Sequence, residues 1–181
     1  MPQFRRMGWT VEPVEQSVVF HYSEDPSLTR FEPHVPRTNP EVGSAVWAID
    51  EAHAPLYWFP RDCPRVAVWA HDARQRRRLH RLFGGRGSRV QAAPDSWSDE
   101  ISSCLLYEYR FDASDFDPWP EAEGQWISRR TVTPHSVLAV GDLPLRQLAA
   151  GVDFLLVPDL RALRDLALDS GLPFSIVRYR V

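Results

Sequence analysis

The sequence predicts an α+β domain built on a strongly bent, mostly antiparallel or mixed sheet with short flanking helices. Three observations carry this. Short β-branched and aromatic runs outnumber amphipathic helical stretches. Sixteen prolines and nine glycines interrupt the chain too often for long helices. The 181 residues, 44% hydrophobic and 25% charged, supply one core of ordinary size without needing disulfides or a structural metal. Residues 17–181 read as that single domain and residues 1–16, without a clear period, as an N-terminal arm.

The elements follow in order. Ser17 to Ser23 is a strand stopped by Glu24-Asp25-Pro26. Pro26, Pro33, Pro36 and Pro40 force an extended path through Val42, long enough to suggest the rim of a binding site. Ala45 to Ile49 is a strand running into Asp50, which caps a short helical turn through His53 to Tyr57. Arg65 to Trp69 is a third strand. His71-Asp72 opens a helix with Leu79, Leu82 and Phe83 on one face and arginines on the other, closed by Gly84-Gly85. A helix is expected from about Ser96 to Cys104, then a strand from Leu105 to Phe111. Strands at 125–132 and 136–140, a short helix at 143–150 ended by Gly151, a strand at 152–157, a helix at 159–168 capped by Asp159 and a strand at 174–181 complete the domain.

Charge narrows the function. All 21 basic residues are arginines, and 24 acids bring the formal net charge to −3. Lysine Schiff-base and P-loop chemistry are therefore excluded, and no overall field draws in nucleic acid or an anionic membrane. Cys63 and Cys104 are too few for a disulfide framework or a four-cysteine zinc site. No apolar run is long enough to span a membrane and no leader pattern opens the chain, so the expected setting is cytoplasmic, with no metal. Arginines cluster between Arg74 and Arg89, acids between Asp95 and Glu123. A solvated helix face offset by the acidic segment explains this better than a nucleic-acid patch.

Motifs of high specificity are missing, so chemistry must be read from constellations. Gly84-Gly85-Arg86-Gly87 could cradle a phosphate but is explained as a helix end. His21-Tyr22-Ser23 places a histidine and a hydroxyl where a strand opens onto a loop, and Trp47, Tyr57 and Trp58 supply aromatic walls for a flat ring. Asp50, Arg61, Cys63 and Arg65 add an acid, a thiol and two guanidiniums able to clamp a phosphate or carboxylate, with Arg129 a further candidate ligand contact.

His21-Tyr22-Ser23-Glu24-Asp25-Pro26, Val46-Trp47-Ala48-Ile49-Asp50-Glu51, Pro60-Arg61-Asp62-Cys63-Pro64-Arg65-Val66 and Trp126-Ile127-Ser128-Arg129 resemble the motifs of an uncharacterised bacterial family labelled only as a domain of unknown function. The layout of a first-strand His-x-Ser, an aromatic second strand followed by a tyrosine, and a late strand entered from an acidic segment is similar to that of the ADP-ribosyltransferase superfamily. That resemblance implies an enzyme acting on NAD, or on a related nucleotide, as substrate. His21 and Ser23 would bind it, Trp47 and Tyr57 would wall the nicotinamide, and Glu121, Glu123 or Gln125 would stand at the third position, where a carboxylate stabilises positive charge on the ribose. The alternatives are a small-molecule tailoring enzyme of a bacterial specialised-metabolite pathway using His21, Asp50 or Cys63 as acid, base or nucleophile, and a non-catalytic phosphate-binding module.

Overall fold

The computed structural model describes residues 17–36 and 40–179; the proposed arm at 1–16 lies outside them. In chain order the described elements are β1 (Val18–Ser23), β2 (Val46–Ile49), β3 (Arg65–Trp69), α1 (Ala73–Phe83), β4 (Arg89–Pro94), α2 (Ser98–Ser103), β5 (Leu106–Asp112), β6 (Asp117–Pro118), β7 (Gln125–Ser128), β8 (Ser136–Val140), α3 (Leu143–Ala149), β9 (Val152–Val157), α4 (Arg161–Asp169) and β10 (Phe174–Val177). The class is α+β, with short helices and antiparallel and mixed sheets.

The strands divide between two sheets where the sequence suggested one bent one. Six strands, in the order β6-β7-β2-β1-β5-β8, form an antiparallel sheet; β10-β3-β4-β9 form a second in which β4 and β9 run parallel. Alternation within β1 shows why both faces of the larger sheet are apolar. Phe20 packs with Ile49, Trp58, Phe59, Ala93 and Leu106, a core drawn from both sheets. Val19, one residue away, faces the opposite side with Phe31, Tyr109 and Phe111. A third cluster seats α1 and α4 on the smaller sheet through Leu79, Leu160 and Ala167 against Val66, Val68, Val90 and Ala92.

Aspartates cap two of the helices directly. Asp72 accepts the Gln75 N–H at the start of α1, and Gly84, at φ 75°, closes it. Asp142 caps α3 through Leu145. Asp159 accepts the Arg161 N–H beside α4, although Leu160 holds the cap position. Asp50 accepts the His53 N–H, but a 3-10 turn, Ala54–Tyr57, stands in place of a full helix, with His53 at its cap position.

Three expectations need correction. Arg89–Pro94 is a central strand of the smaller sheet, where the sequence reading assigned no element before the helix expected from about Ser96. Its buried Gln91 disguises it: the amide donates to the Pro55 carbonyl and to Gln147 Oε1, partners distant in sequence. The proline-rich segment from Pro26 to Val42 does not border, among its described residues, the cavity beside His21 described below. Phe31 bridges to Val132 and packs its ring edgewise on His21, Tyr109 and Phe111, covering the far face of the larger sheet. Among the described residues no arginine of the block forms an ion pair with the acidic segment as expected: Arg78 donates to the Ser170 carbonyl, and Arg89 feels the charges of Asp50 and Glu123. The glycine loop after α1 has an internal occupant, since the Arg86 and Gly87 N–H groups both donate to Asp153 Oδ2, at 2.8 and 2.7 Å. An Asp153 carboxylate thus fills the anion position the loop offers.

Candidate functional site: a cavity where the larger sheet splays

β1 and β2 are held together by one aligned pair, Phe20 with Ile49. Beyond it the backbones separate, and the His21 side chain spans the gap, its Nδ1–H donating to the Trp47 carbonyl at 2.9 Å. A cavity of about 420 Å³ opens at this split. His21, Ser23, Trp47, Tyr57, Arg61 and Arg65, six of the residues singled out from the sequence, line it together. The size is within the range of small-molecule sites.

His21 is poised as a neutral base. A carbonyl can only accept, so the proton sits on Nδ1 and Nε2 carries the lone pair; no described residue occupies Nε2. Burial lowers the pKa below the usual 6.5, the Trp47 carbonyl working the other way and Arg61 and His34 adding smaller downward effects. A histidine depressed in the folded state makes its full contribution to stability above pH 6.5, and that contribution is lost as the pH falls through the folded value, because the unfolded chain then binds the proton more readily. Thermal melts between about pH 7 and about pH 5 are expected to show a smaller loss of stability for His21→Gln than for the wild type. Equal losses would mean that other groups carry the acid sensitivity.

Arg65 lines the same cavity from β3. It is buried, its Nε donating to the Leu56 carbonyl and Nη1 to the Cys63 carbonyl, at 2.9 and 3.1 Å, with its guanidinium 5.1 Å from the Phe59 ring centre. Burial brings its pKa down to about 10, so it stays charged at neutral pH. Among the described residues no carboxylate pairs with it. Tyr57, whose hydroxyl accepts from Gln125 Nε2 at 3.2 Å, forms an adjoining wall, and burial raises its phenol pKa. Gln125 thus positions a wall residue without lining the cavity.

Asp50 and Glu123 lie elsewhere, which corrects their assignment to the His21 cleft. They enclose His53 instead: Asp50 Oδ1 sits 2.8 Å from Nδ1 and Glu123 Oε1 3.3 Å from Nε2. Glu123 Oε2 also meets His71 Nε2 and Trp69 Nε1, each at 3.2 Å. Burial works to raise the Asp50 pKa, but the His53 side-chain and backbone N–H groups outweigh it and hold the carboxyl below the usual range. The chain direction explains the placement, because Gly124 turns sharply at φ 75° and leaves Glu123 pointing across the end of β3. Glu121 is exposed and does not border the cavity. Arg129 is also outside, spending Nη1 on the Val42 and Ser44 carbonyls. Cys63 is buried away from the cavity, and burial pushes its thiol up to about 12, opposite to what a nucleophile needs.

The sequence reading missed Glu24, Phe59 and Arg178 as lining residues. Glu24 is the carboxylate among the described lining residues, its Oε1 accepting the Arg61 N–H at 2.8 Å. It follows Ser23 directly and was readable as part of that motif. Arg178 comes from the turn after β10 and adopts φ 54°, a conformation uncommon outside glycine. Among the described residues no group of three or more metal-ligating side chains converges, and no helix is long and apolar enough to cross a membrane.

None of the curated proteins and none of the solved structures compared with the chain matches it. A family model does match, over residues 20–181. Every lining residue of the cavity falls inside that span, from Phe20 on β1 to Arg178 after β10, and the chain belongs to the family of unknown function DUF6886.

Proposed function

We propose that the cavity at the β1/β2 split binds NAD or a related nucleotide, and that the protein is an enzyme acting on it. The observation that carries this reading is a buried guanidinium without a carboxylate partner among the described residues, Arg65, opening onto the same cavity as a neutral histidine and aromatic walls. A flat base suits Trp47 and Tyr57, a ribose hydroxyl suits His21 Nε2 and Ser23, and Arg61 and Arg65 draw the phosphate side. In a glycosidic cleavage the ribose–nicotinamide bond breaks with its electron pair leaving on nicotinamide, while an acceptor hydroxyl bonds to the ribose carbon and releases its proton to solvent. Glu24, at the cavity wall, takes over the charge-stabilising role that the sequence suggested for Glu123.

Saturation-transfer NMR with NAD and a nicotinamide-release assay test this. NAD signals are expected in the wild type and lost in His21→Ala, with release falling by about 100-fold in Glu24→Gln. An NAD signal indifferent to His21, or none at all, would overturn the reading. One observation favours a second reading: Phe20, Ile49, Phe59, Leu106, Ile176 and Val177 give the cavity a largely apolar lining. This suits a smaller, less polar ring substrate handled by His21 as base. Saturable binding of an apolar ring compound that His21→Ala abolishes, with no NAD signal in the wild type, would point there.

A further inference from the structure

On the other side of the wall formed by Phe20 and Tyr22 lies a second cavity, of about 380 Å³. Both of these residues also line the first cavity. Its charged lining consists of Arg89, Arg110 and Arg146 against Glu51 and Glu108, three guanidiniums to two carboxylates. Glu108 is already saturated. Its Oε1 accepts Arg110 Nε and Nη2 at 2.9 and 2.8 Å, and its Oε2 accepts Arg146 Nη2 and the Tyr22 hydroxyl, each at 2.8 Å. Glu51 is exposed and pairs with none of the three among the described residues.

Donors are left over. Arg146 spends Nη2 on Glu108 and lays its guanidinium 4.4 Å from the Trp58 ring centre; Arg89 spends Nη2 on the Ala52 carbonyl and lies 5.7 Å from the Trp69 ring centre. Each has a buried Nε–H with no acceptor among the described residues. Buried N–H groups without partners are destabilising, and two of them on guanidiniums lining one cavity create a demand for an acceptor with negative charge. Arginine forks match the oxygens of a phosphate in geometry as well as charge.

We propose that this second cavity is a binding site for the phosphate group of a small molecule, held by Arg89 and Arg146 with Arg110 at the edge. It does not depend on what occupies the first cavity. The shared Phe20–Tyr22 wall makes the two sites neighbours, as an acceptor or an effector of a reaction in the first cavity would require.

The test is titration of the full chain with inorganic phosphate, following the arginine Nε–H resonances by NMR. Saturable shifts are expected for Arg89 and Arg146, with affinity about tenfold weaker in Arg89→Gln and in Arg146→Gln. Arg77→Gln, on the exposed face of α1, is expected to bind as the wild type does. Because Arg89 contacts neither Glu108 nor Tyr22, its variant remains informative if the Arg146 variant fails to fold. No saturable shift, shifts confined to Arg61 and Arg178 in the first cavity, or equal weakening by Arg77→Gln would each overturn the proposal.

Discussion

Glu108→Ala is expected to lower stability by about 3 kcal/mol, seen as a fall in Tm on the order of 10 °C. The carboxylate is 2% exposed and accepts from Arg110, Arg146 and the Tyr22 hydroxyl. Truncation leaves Tyr22 without its acceptor, two arginines without their counter-charge and a void in the middle of β5. The arginine side chains are 38% and 36% exposed, so water reclaims part of the loss, and the figure belongs at the low end for a broken buried pair. Glu108→Gln keeps the shape and one acceptor oxygen and is expected to cost about half as much. Thermal melts of both variants check this, and a fall in Tm of less than about 2 °C for the alanine variant would show that solvent replaces the carboxylate almost completely.

Gly124→Ala is expected to cost about 3 kcal/mol by a different route. The backbone sits at φ 75°, a region that L side chains rarely adopt. A methyl group there would stand 2.3 Å from His53 Cγ and Nδ1 and 2.6 Å from its Cβ. The imidazole must then move, and it is the group that joins Asp50 to Glu123. Denaturant unfolding measures the loss. NMR of His53 supplies a second readout, since the ring resonances should shift more than those of His21, which lies across Trp47 in the other cavity. A variant as stable as the wild type with an unmoved His53 would refute the steric account. The nucleotide binding proposed for the first cavity is expected to survive in the folded fraction, which separates the His53 cluster from that site.

Strand β9 was readable to the residue because a short apolar run after the helix-ending Gly151 is a local signal. Helix α1 was readable from Asp72, the spacing of Leu79, Leu82 and Phe83 and the closing glycines. Strand β4 was not, because it is buried on both faces between β3 and β9 and holds a glutamine whose partners come from two other segments. No window of sequence records that pairing. The same limit applied to the site. His21, Ser23, Trp47 and Tyr57 could be grouped because each lies on or just after a strand end with an evident pattern. Ile176 and Val177 could not, since β10 reaches the cavity only by pairing with β3, more than a hundred residues earlier.

By itself, then, the sequence determined the α+β class, the cap of α1, most strands and the group of residues around His21, because periodicity, β-branching and capping chemistry act over a few neighbouring positions. Only the tertiary structure decided that the strands form two sheets and that β1 and β2 part after one aligned pair. It also decided that Asp50 and Glu123 turn away to His53 and that Asp153 fills the glycine loop. Those outcomes follow from which distant carboxylate, carbonyl or guanidinium satisfies each buried polar group, and that choice is made by packing in three dimensions.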